Sequence, residues 1–472
     1  KHGEVYAARF GLNALGDLRA STAVFAVIDD HEISNNFAGG APTDSNSPGT
    51  SAAFFNETII YRTALQAFHE YNPIQEQTYD TPGHARTHGK PKLYRTRRFG
   101  SDAAIFLLDA RSFRDRELPE VRNPLNTEEI DAFNSLTFDL DPKTGTKLPR
   151  RTMLGAQQLS DLKEDLLAAR MDGVLWKFVL VPEPMQNFGF ADGQDRFEGY
   201  ATERTELLKF IADHQIKNVV FISADIHGTV VNNLNYQLGP GQPGIPTESF
   251  EVVTGPVAYD KPFGPTVFDA AERIDFLPGA NLLQLILRSL DVANRAAFDA
   301  LPQMEKDRLF KSVMDTQLNL LGLDSTGLDS SDVLATLTTG NYVAVHTYGW
   351  TEFEIDRLSH RLTVTTYGIP PYTPGEATEA VVSRAPAIVS AFTVLPQTDP
   401  LTSPELEVAR VATGVRVSWP LGATNFVLQS AISLGDTPDW SDETLNPTTV
   451  GEQNVVLLQA TSVDKFYRLR RR

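Results

Sequence analysis

The chain has 472 residues, with 42 Lys and Arg against 60 Asp and Glu, a formal net charge of -18 and no cysteine. That length supports a large core and more than one domain. The surplus of acid argues against a stable nucleic-acid partner, which needs surplus Lys and Arg, and against anchoring on anionic lipid. Without cysteine, disulfides, thiolate zinc sites and a cysteine nucleophile inside the chain are excluded. No apolar run reaches the roughly 20 residues that a membrane-spanning helix needs.

The sequence opens Lys1-His2-Gly3-Glu4, with neither a basic leader nor an apolar signal core, so the expectation is a removed leader or a missing N-terminal segment. Residues 4 to 20 read as a helix, with Val5, Ala8, Phe10 and Leu12 apolar. It feeds Val24-Phe25-Ala26-Val27-Ile28, which reads as a strand buried on both faces, as in parallel sheets. Asp29-Asp30-His31-Glu32 follows at once, then a loop through Gly39-Gly40-Ala41-Pro42 to Ser51 and a helix over 53–71 with Phe54, Ile59, Leu65 and Phe68 on its apolar side. His84 and His88 stand four apart, but Pro82, Gly83 and Gly89 place them in a loop rather than on a helix that would present them to one metal.

Residues 92–100 alternate as a strand and lead into a buried strand over 103–108 that ends Asp109-Ala110-Arg111. After a charged surface excursion over 115–153, a helix over 155–169 presents Leu159, Leu162, Leu166 and Leu167, and a strand over 176–181 ends Pro182-Glu183-Pro184. A helix over 202–214 and a strand over 218–223 end in Ala224-Asp225-Ile226-His227. Another strand is expected over 248–253, a helical insertion over about 266–338, and returning strands over 342–345, 351–355 and 361–367. The proline-bearing stretch from Leu395 separates a domain over 1–395 from a linker over 396–405, and short alternating runs over 406–472 suggest a small β-sandwich.

The recurrence of polar strand ends is the strongest signal. Open α/β folds place ligands at the carboxyl ends of their strands, so Asp-Asp-His, Asp-Ala-Arg, Pro-Glu-Pro and Asp-Ile-His can converge on one site. Adjacent carboxylates repel unless a cation or donors compensate them, which points to a metal centre. Strand alternation puts Asp225 and His227 on one side of an extended backbone, and hard oxygens with imidazole suit Fe, Mn, Zn or Ca centres that activate water.

Val27-Ile28-Asp29-Asp30-His31-Glu32-Ile33-Ser34-Asn35-Asn36 resembles the Trp-Asp-Asp-His-Glu-x-x-Asn-Asn signature of the alkaline phosphatase D (PhoD-like) family. Leu108-Asp109-Ala110-Arg111-Ser112-Phe113-Arg114 is similar to its Asp-x-Arg-x-Tyr-Arg segment, Thr152-Met153-Leu154-Gly155 with Gln158-Leu159 to its Thr-Met-Leu-Gly-x-x-Gln-Leu helix start, and Ser223-Ala224-Asp225-Ile226-His227 to its Gly-Asp-x-His. The four motifs come in order over residues 15 to 260, and the likeness returns around 348–367.

The resemblance implies a four-layer α/β/β/α metallophosphatase sandwich with a multinuclear metal site, Fe and Ca foremost with Zn or Mn as alternatives. It implies Asp30, Asp225 and His227 as metal ligands, and His31 as the residue that contacts phosphate or protonates the leaving group. Arg111 becomes a phosphate ligand, and Asn35 and Asn36 neutral oxygens for metal or substrate. An ion pair of Arg111 with Asp109 or Asp115 is the structural alternative. The implied function is metal-dependent hydrolysis of phosphate esters by a periplasmic or secreted bacterial enzyme, its C-terminal module serving attachment or export. A second reading is an inactive surface or structural protein on the same fold. It rests on the family motifs that have no counterpart before Asp29, and on Val181-Pro182-Glu183-Pro184 where relatives carry Gly-Asn-Gln.

Overall fold

The structure is a computed structural model that describes residues 14–43, 53–80, 85–123, 126–188, 193–257, 261–372, 375–397, 404–412, 414–420, 423, 426–434, 438–451, 453–460 and 463–471. The first described helix, α1, spans Ala14–Ser21, and α2 spans Ile59–Tyr71 behind a short 3-10 turn. Strands β1 (Arg95–Phe99) and β2 (Ala103–Leu107) lead to α3 (Thr127–Thr137), α4 (Ala156–Met171) and β3 (Trp176–Leu180). Then come α5 (Ala201–Asp213), β4 (Val219–Ser223), β5 (Thr229–Tyr236) and β6 (Ile245–Val253). The insertion holds α6 (Phe263–Glu272), a hairpin of β7 (Asp275–Leu277) and β8 (Ala280–Asn281), α7 (Leu282–Ser289), α8 (Arg295–Asp299) and α9 (Gln303–Leu320). The chain returns through β9 (Ala335–Gly340), β10 (Val343–Ala344), β11 (Tyr348–Ile355), β12 (Leu362–Ile369), α10 (Thr378–Val382) and β13 (Ala387–Val394).

Seven strands form a mixed sheet in the order β1-β2-β3-β4-β6-β5-β10, whose centre, β2-β3-β4-β6, is parallel. Strands β11-β12-β13-β9 make a separate antiparallel sheet. One face of the larger sheet, through Phe106, Val179 and Phe221, packs on Leu159, Leu162 and Leu166 of α4 and Leu207, Leu208 and Ile211 of α5. Trp176, Phe178, Val220 and Val252 on its other face meet Leu362, Val364, Phe392 and Val394 of the smaller sheet. Burial on both sides explains why the central strands read as continuous apolar runs.

Several expectations are corrected. No strand forms over 23–29: Val24 and Phe25 are 46% and 44% exposed, and only Ile28 is buried. An apolar run becomes a strand only where a neighbour supplies a ladder. Here the segment lies along β1 through an Arg95 side chain bonded to the Ala26 carbonyl and an edge contact of Phe25 with Phe99. Ile59 faces water, leaving Tyr61, Leu65 and Phe68 as the buried side of α2. The excursion over 115–153 contains α3, because Asn126 caps the amides of Glu128 and Glu129 and Phe133 is buried. Strand β5 went unseen because Asn232, Asn233 and Asn235 are poor strand formers, yet all are buried and Asp324 accepts from the last two. Strand β13 was also unforeseen. Residues 4–13 of the expected first helix, most of the loop before Ser51, and His84 lie outside the described residues.

The insertion is mostly helical, around Phe268, Leu287, Phe298 and Phe310. Asn218 and Gln397 exchange two hydrogen bonds, which tie the chain to the domain up to that point. Beyond lie β14 (Glu407–Val411), β15 (Gly414–Pro420), β16 (Phe426–Ala431), β17 (Ser441–Asp442), β18 (Thr448–Val450), β19 (Gln453–Leu458) and β20 (Phe466–Arg471). They form sheets β14-β15-β19-β18 and β17-β16-β20, which share an apolar cluster of Val417, Trp419, Leu428, Val456 and Leu458.

Candidate functional site

Four segments meet at the carboxyl edge of the parallel strands. The turn after β2 carries Arg111 and Arg114, both fully buried. Arg111 donates from Nε to Asp29 Oδ1 at 2.7 Å and from its two terminal nitrogens to the two oxygens of Asp195, at 2.9 and 3.0 Å. The fork on Asp195 is the bidentate geometry that makes guanidinium the choice for enclosed carboxylates. Arg114 reaches the same Asp195 at 2.7 Å and donates to the Asn36 carbonyl at 2.9 Å.

Glu183, after β3, has no exposed surface, and its Oε1 lies 2.5 Å from Arg111 Nε. It is an ion pair by distance only: the Nε hydrogen points to Asp29, and neither Glu183 oxygen finds an aligned donor. Burial therefore pushes its carboxyl well above the usual range despite Arg111. Burial also raises Asp29, against the pull of Arg111. Asp195 goes the other way, since Arg111 and Arg114 together outweigh its burial.

The loop that carries Asp29 to Asn36 is laced to this turn. The amides of Gly39 and Gly40 donate to the carbonyls of Arg111 and Arg114, and Asn56 donates to that of Ser112. A Cβ on Gly39 would lie 2.3 Å from the Ser112 oxygen, so only glycine permits the approach. Asp30 is buried and accepts from the Asn36 amide at 2.9 Å. Asn36 takes the left-handed conformation, with φ 50°. His31 is exposed and its Nε2 stands 3.9 Å from Asp30 Oδ1; Asn35 is exposed as well.

After β4 the chain does not stay extended. Asp225 and His227 both have positive φ, 63° and 60°, so the alternation argument for their shared side fails. Asp and His tolerate that region better than most residues, at a cost of about 1–3 kcal/mol each. The bend is held by the Ala224 amide on the Pro182 carbonyl at 2.9 Å. Burial and then the Asp29 carboxylate raise the Asp225 carboxyl to about 7, opposed by Arg111.

Carboxylate and imidazole are the right donors for a hard or borderline ion, but the number falls short. Among the described residues no three His, Asp or Glu side chains are placed to hold a metal together. For Asp29 the compensating charge is a guanidinium. Sequence reasoning did not single out Arg114, Asp195 or a charge role for Glu183. Two arginines three residues apart at a strand end signalled a need for buried acids, whereas Asp195, in a loop without periodicity, gave no sign.

What the fold and the site define is an α/β protein that gathers acids and paired arginines at its parallel strand ends. The model of the PhoD-like phosphatase family matches residues 5–275, more than half of the chain, and the chain belongs to that family. It is similar to alkaline phosphatase D of Bacillus subtilis (strain 168), at 25% identity over 233 residues, 46% of this chain and 34% of that protein. The chain thus aligns with about a third of that relative's length. A solved structure described as "Structure of PhoD" aligns with a TM-score of 0.45 and 16% identity, over 79% of this chain and 54% of that one.

Proposed function

We propose that the protein hydrolyses phosphate esters. The observation that carries this reading is the family match over residues 5–275, within which the Arg111 turn after β2 meets both the Asp29 loop and Glu183 after β3, and the bend after β4 bonds the Pro182 carbonyl. Ester cleavage needs positive charge near the phosphoryl oxygens and a proton for the leaving oxygen. In this reading His31, exposed beside Asp30, delivers that proton. Asp30, Asp225 and His227 would be part of the donor set of a metal centre, short of a complete set among the described residues, and the metal would supply an activated water when bound. Asn35 and Asn36 border the substrate. Arg111 lies near the phosphate position, where its bonds to Asp29 and Asp195 fix the carboxylate beside Asp225.

We read the architecture as the family's α/β/β/α sandwich; the order α4 and α5, large sheet, small sheet supports three of the layers. The two C-terminal sheets are read as a β-sandwich for attachment or export, with the protein outside the cytoplasm. One observation favours a non-catalytic scaffold instead: Glu183, wholly buried, occupies the flank of Arg111.

The test is hydrolysis of an aryl phosphate by the wild type and by an Asp225→Ala, His227→Ala double variant, with metal analysis of both. Hydrolysis that disappears in the double variant supports the enzyme, and full activity there would sink it. A wild type with neither metal nor activity establishes the scaffold.

A further inference from the structure

Helix α5 carries a cation that the strand-end cluster does not use. Arg204 closes its first turn, is 4% exposed, and donates from Nε to the Met185 carbonyl in the loop after β3. Among the described residues its two terminal nitrogens make no hydrogen bond and meet no carboxylate within ion-pair distance. Neither nitrogen is sealed from its surroundings. Arg204 borders a cavity of about 300 Å³ between α3, α5, the end of α9 and the turn after β5, and its remaining surface opens there.

A guanidinium held this way keeps its charge without a contact partner. Burial lowers it to about 10, against the pull of Glu251 and Glu198, so it is cationic at neutral pH. Both acids are committed to other donors. Glu251 accepts from the Met185 and Gln186 amides and the Ser223 hydroxyl, while Glu198 accepts from the Phe188 amide at 3.2 Å and faces Arg196 at 3.4 Å. Asp131, the other acid on the cavity wall, is exposed on α3, where water weakens its field. Enclosed charged donors are costly unless something supplies an acceptor.

Much of the remaining wall is apolar. Ile130 and Phe133 of α3, Phe138 just beyond it, and Leu321 and Leu323 after α9 border the same space. Leu320 at the end of α9 joins them and is 83% exposed. A fork of donors set among hydrocarbon suits an amphiphilic anion.

We infer that this cavity binds a small monocarboxylate with an apolar tail, its carboxylate forked on the terminal nitrogens of Arg204 and its tail against Phe133, Phe138 and Leu323. A planar carboxylate matches a planar guanidinium bidentately. A phosphate dianion calls for a second cation, and Arg204 is the one basic residue among the described residues that line the space. None of these residues belongs to the strand-end cluster, so the site stands whether or not that cluster hydrolyses esters.

The experiment is calorimetric titration of hexanoate into the full chain, with hexanamide and acetate as comparison probes. The proteins are the wild type, Arg204→Gln, and Ile130→Trp, which fills the cavity from α3 and leaves the cation in place; each is checked for folding by circular dichroism. One equivalent of hexanoate should bind the wild type. Hexanamide, which lacks the charge, and acetate, which lacks the tail, should each bind about tenfold more weakly or worse, and both variants should weaken hexanoate by about the same factor. Absence of saturable hexanoate binding to the wild type below about 10 mM overturns the proposal. Equal affinity for hexanamide overturns it as well, as does unchanged hexanoate binding in a folded Arg204→Gln. Should Arg204→Gln misfold, Ile130→Trp decides, because hexanoate that binds there as in the wild type does not occupy this cavity.

Discussion

Replacing Arg111 by Met removes the cation that Asp29, Glu183 and Asp195 share. Glu183 is wholly enclosed, Asp195 is 5% exposed and Asp29 29% exposed at the side chain. Removing one partner of a buried pair costs about 3–5 kcal/mol, since the other charge is left uncompensated. The three losses do not add. Asp195 keeps Arg114, Asp29 is partly hydrated, and Glu183, whose burial already favours the neutral form, loses little. A loss near about 3 kcal/mol follows, and because 1 kcal/mol moves Tm by less than about 2 °C in a domain this large, the midpoint should fall by about 5 °C.

Urea unfolding followed by circular dichroism measures the loss, and pH supplies a second check. Asp195 has a depressed folded pKa, so its stabilisation is present above the ordinary carboxylate range of about 4 and is lost as pH falls through the folded value. Much of that contribution is already missing in the variant, and protonated acids no longer need the guanidinium. The gap between wild type and Arg111→Met must therefore narrow toward acid. A loss under about 1 kcal/mol at pH 7.5, within reach of an ordinary surface change, or a gap that stays constant with pH, would refute the account of this cluster.

Gly39→Ala should destabilise by about 1–3 kcal/mol or more, because its Cβ meets backbone rather than a movable side chain; a thermal melt that matches wild type defeats the docking of the two loops. Glu251 accepts from the amides of Met185 and Gln186 and from the Ser223 hydroxyl. Glu251→Ala leaves these buried donors unpaired at about 1–3 kcal/mol each, and hydrogen exchange over 182–188 should accelerate; unaltered protection there would show that the loop is held otherwise. Deleting residues 398–472 should leave the melting midpoint of the remainder within about 2 °C, since the Asn218–Gln397 bonds are retained and separate cores melt separately. Collapse of the truncated chain into an unfolded state would show that the C-terminal sheets complete the larger domain.

Much of this protein was legible in the sequence because its central strands are buried on both faces. Runs such as Trp176 to Leu180 and Val219 to Ser223 declare themselves by continuous apolarity, and their polar ends mark the edge where Arg111, Glu183 and Asp225 gather. The leucines of α4 fixed its buried side in the same way. The apolar run at 24–28 has the same composition but no paired neighbour, and composition does not record whether a ladder partner exists. Strand β5 shows the converse, since its asparagines become strand residues only through Asp324 and the neighbouring β6.

The sequence by itself determined which residue types stand at the strand ends: carboxylates, imidazoles and two arginines, in an order that carries the family likeness. Only the tertiary structure decided who compensates whom. A charged side chain settles its partner when water is removed and the nearest opposite charge takes its place, and that distance is set by loop docking, not by spacing along the chain. Arg111 therefore ended on Asp195, 84 residues away, and not on its neighbours Asp109 or Asp115 through its guanidinium. Asp225 and His227 left the extended line that alternation assumes, because the bend after β4 is fixed by the Pro182 carbonyl on another strand's loop.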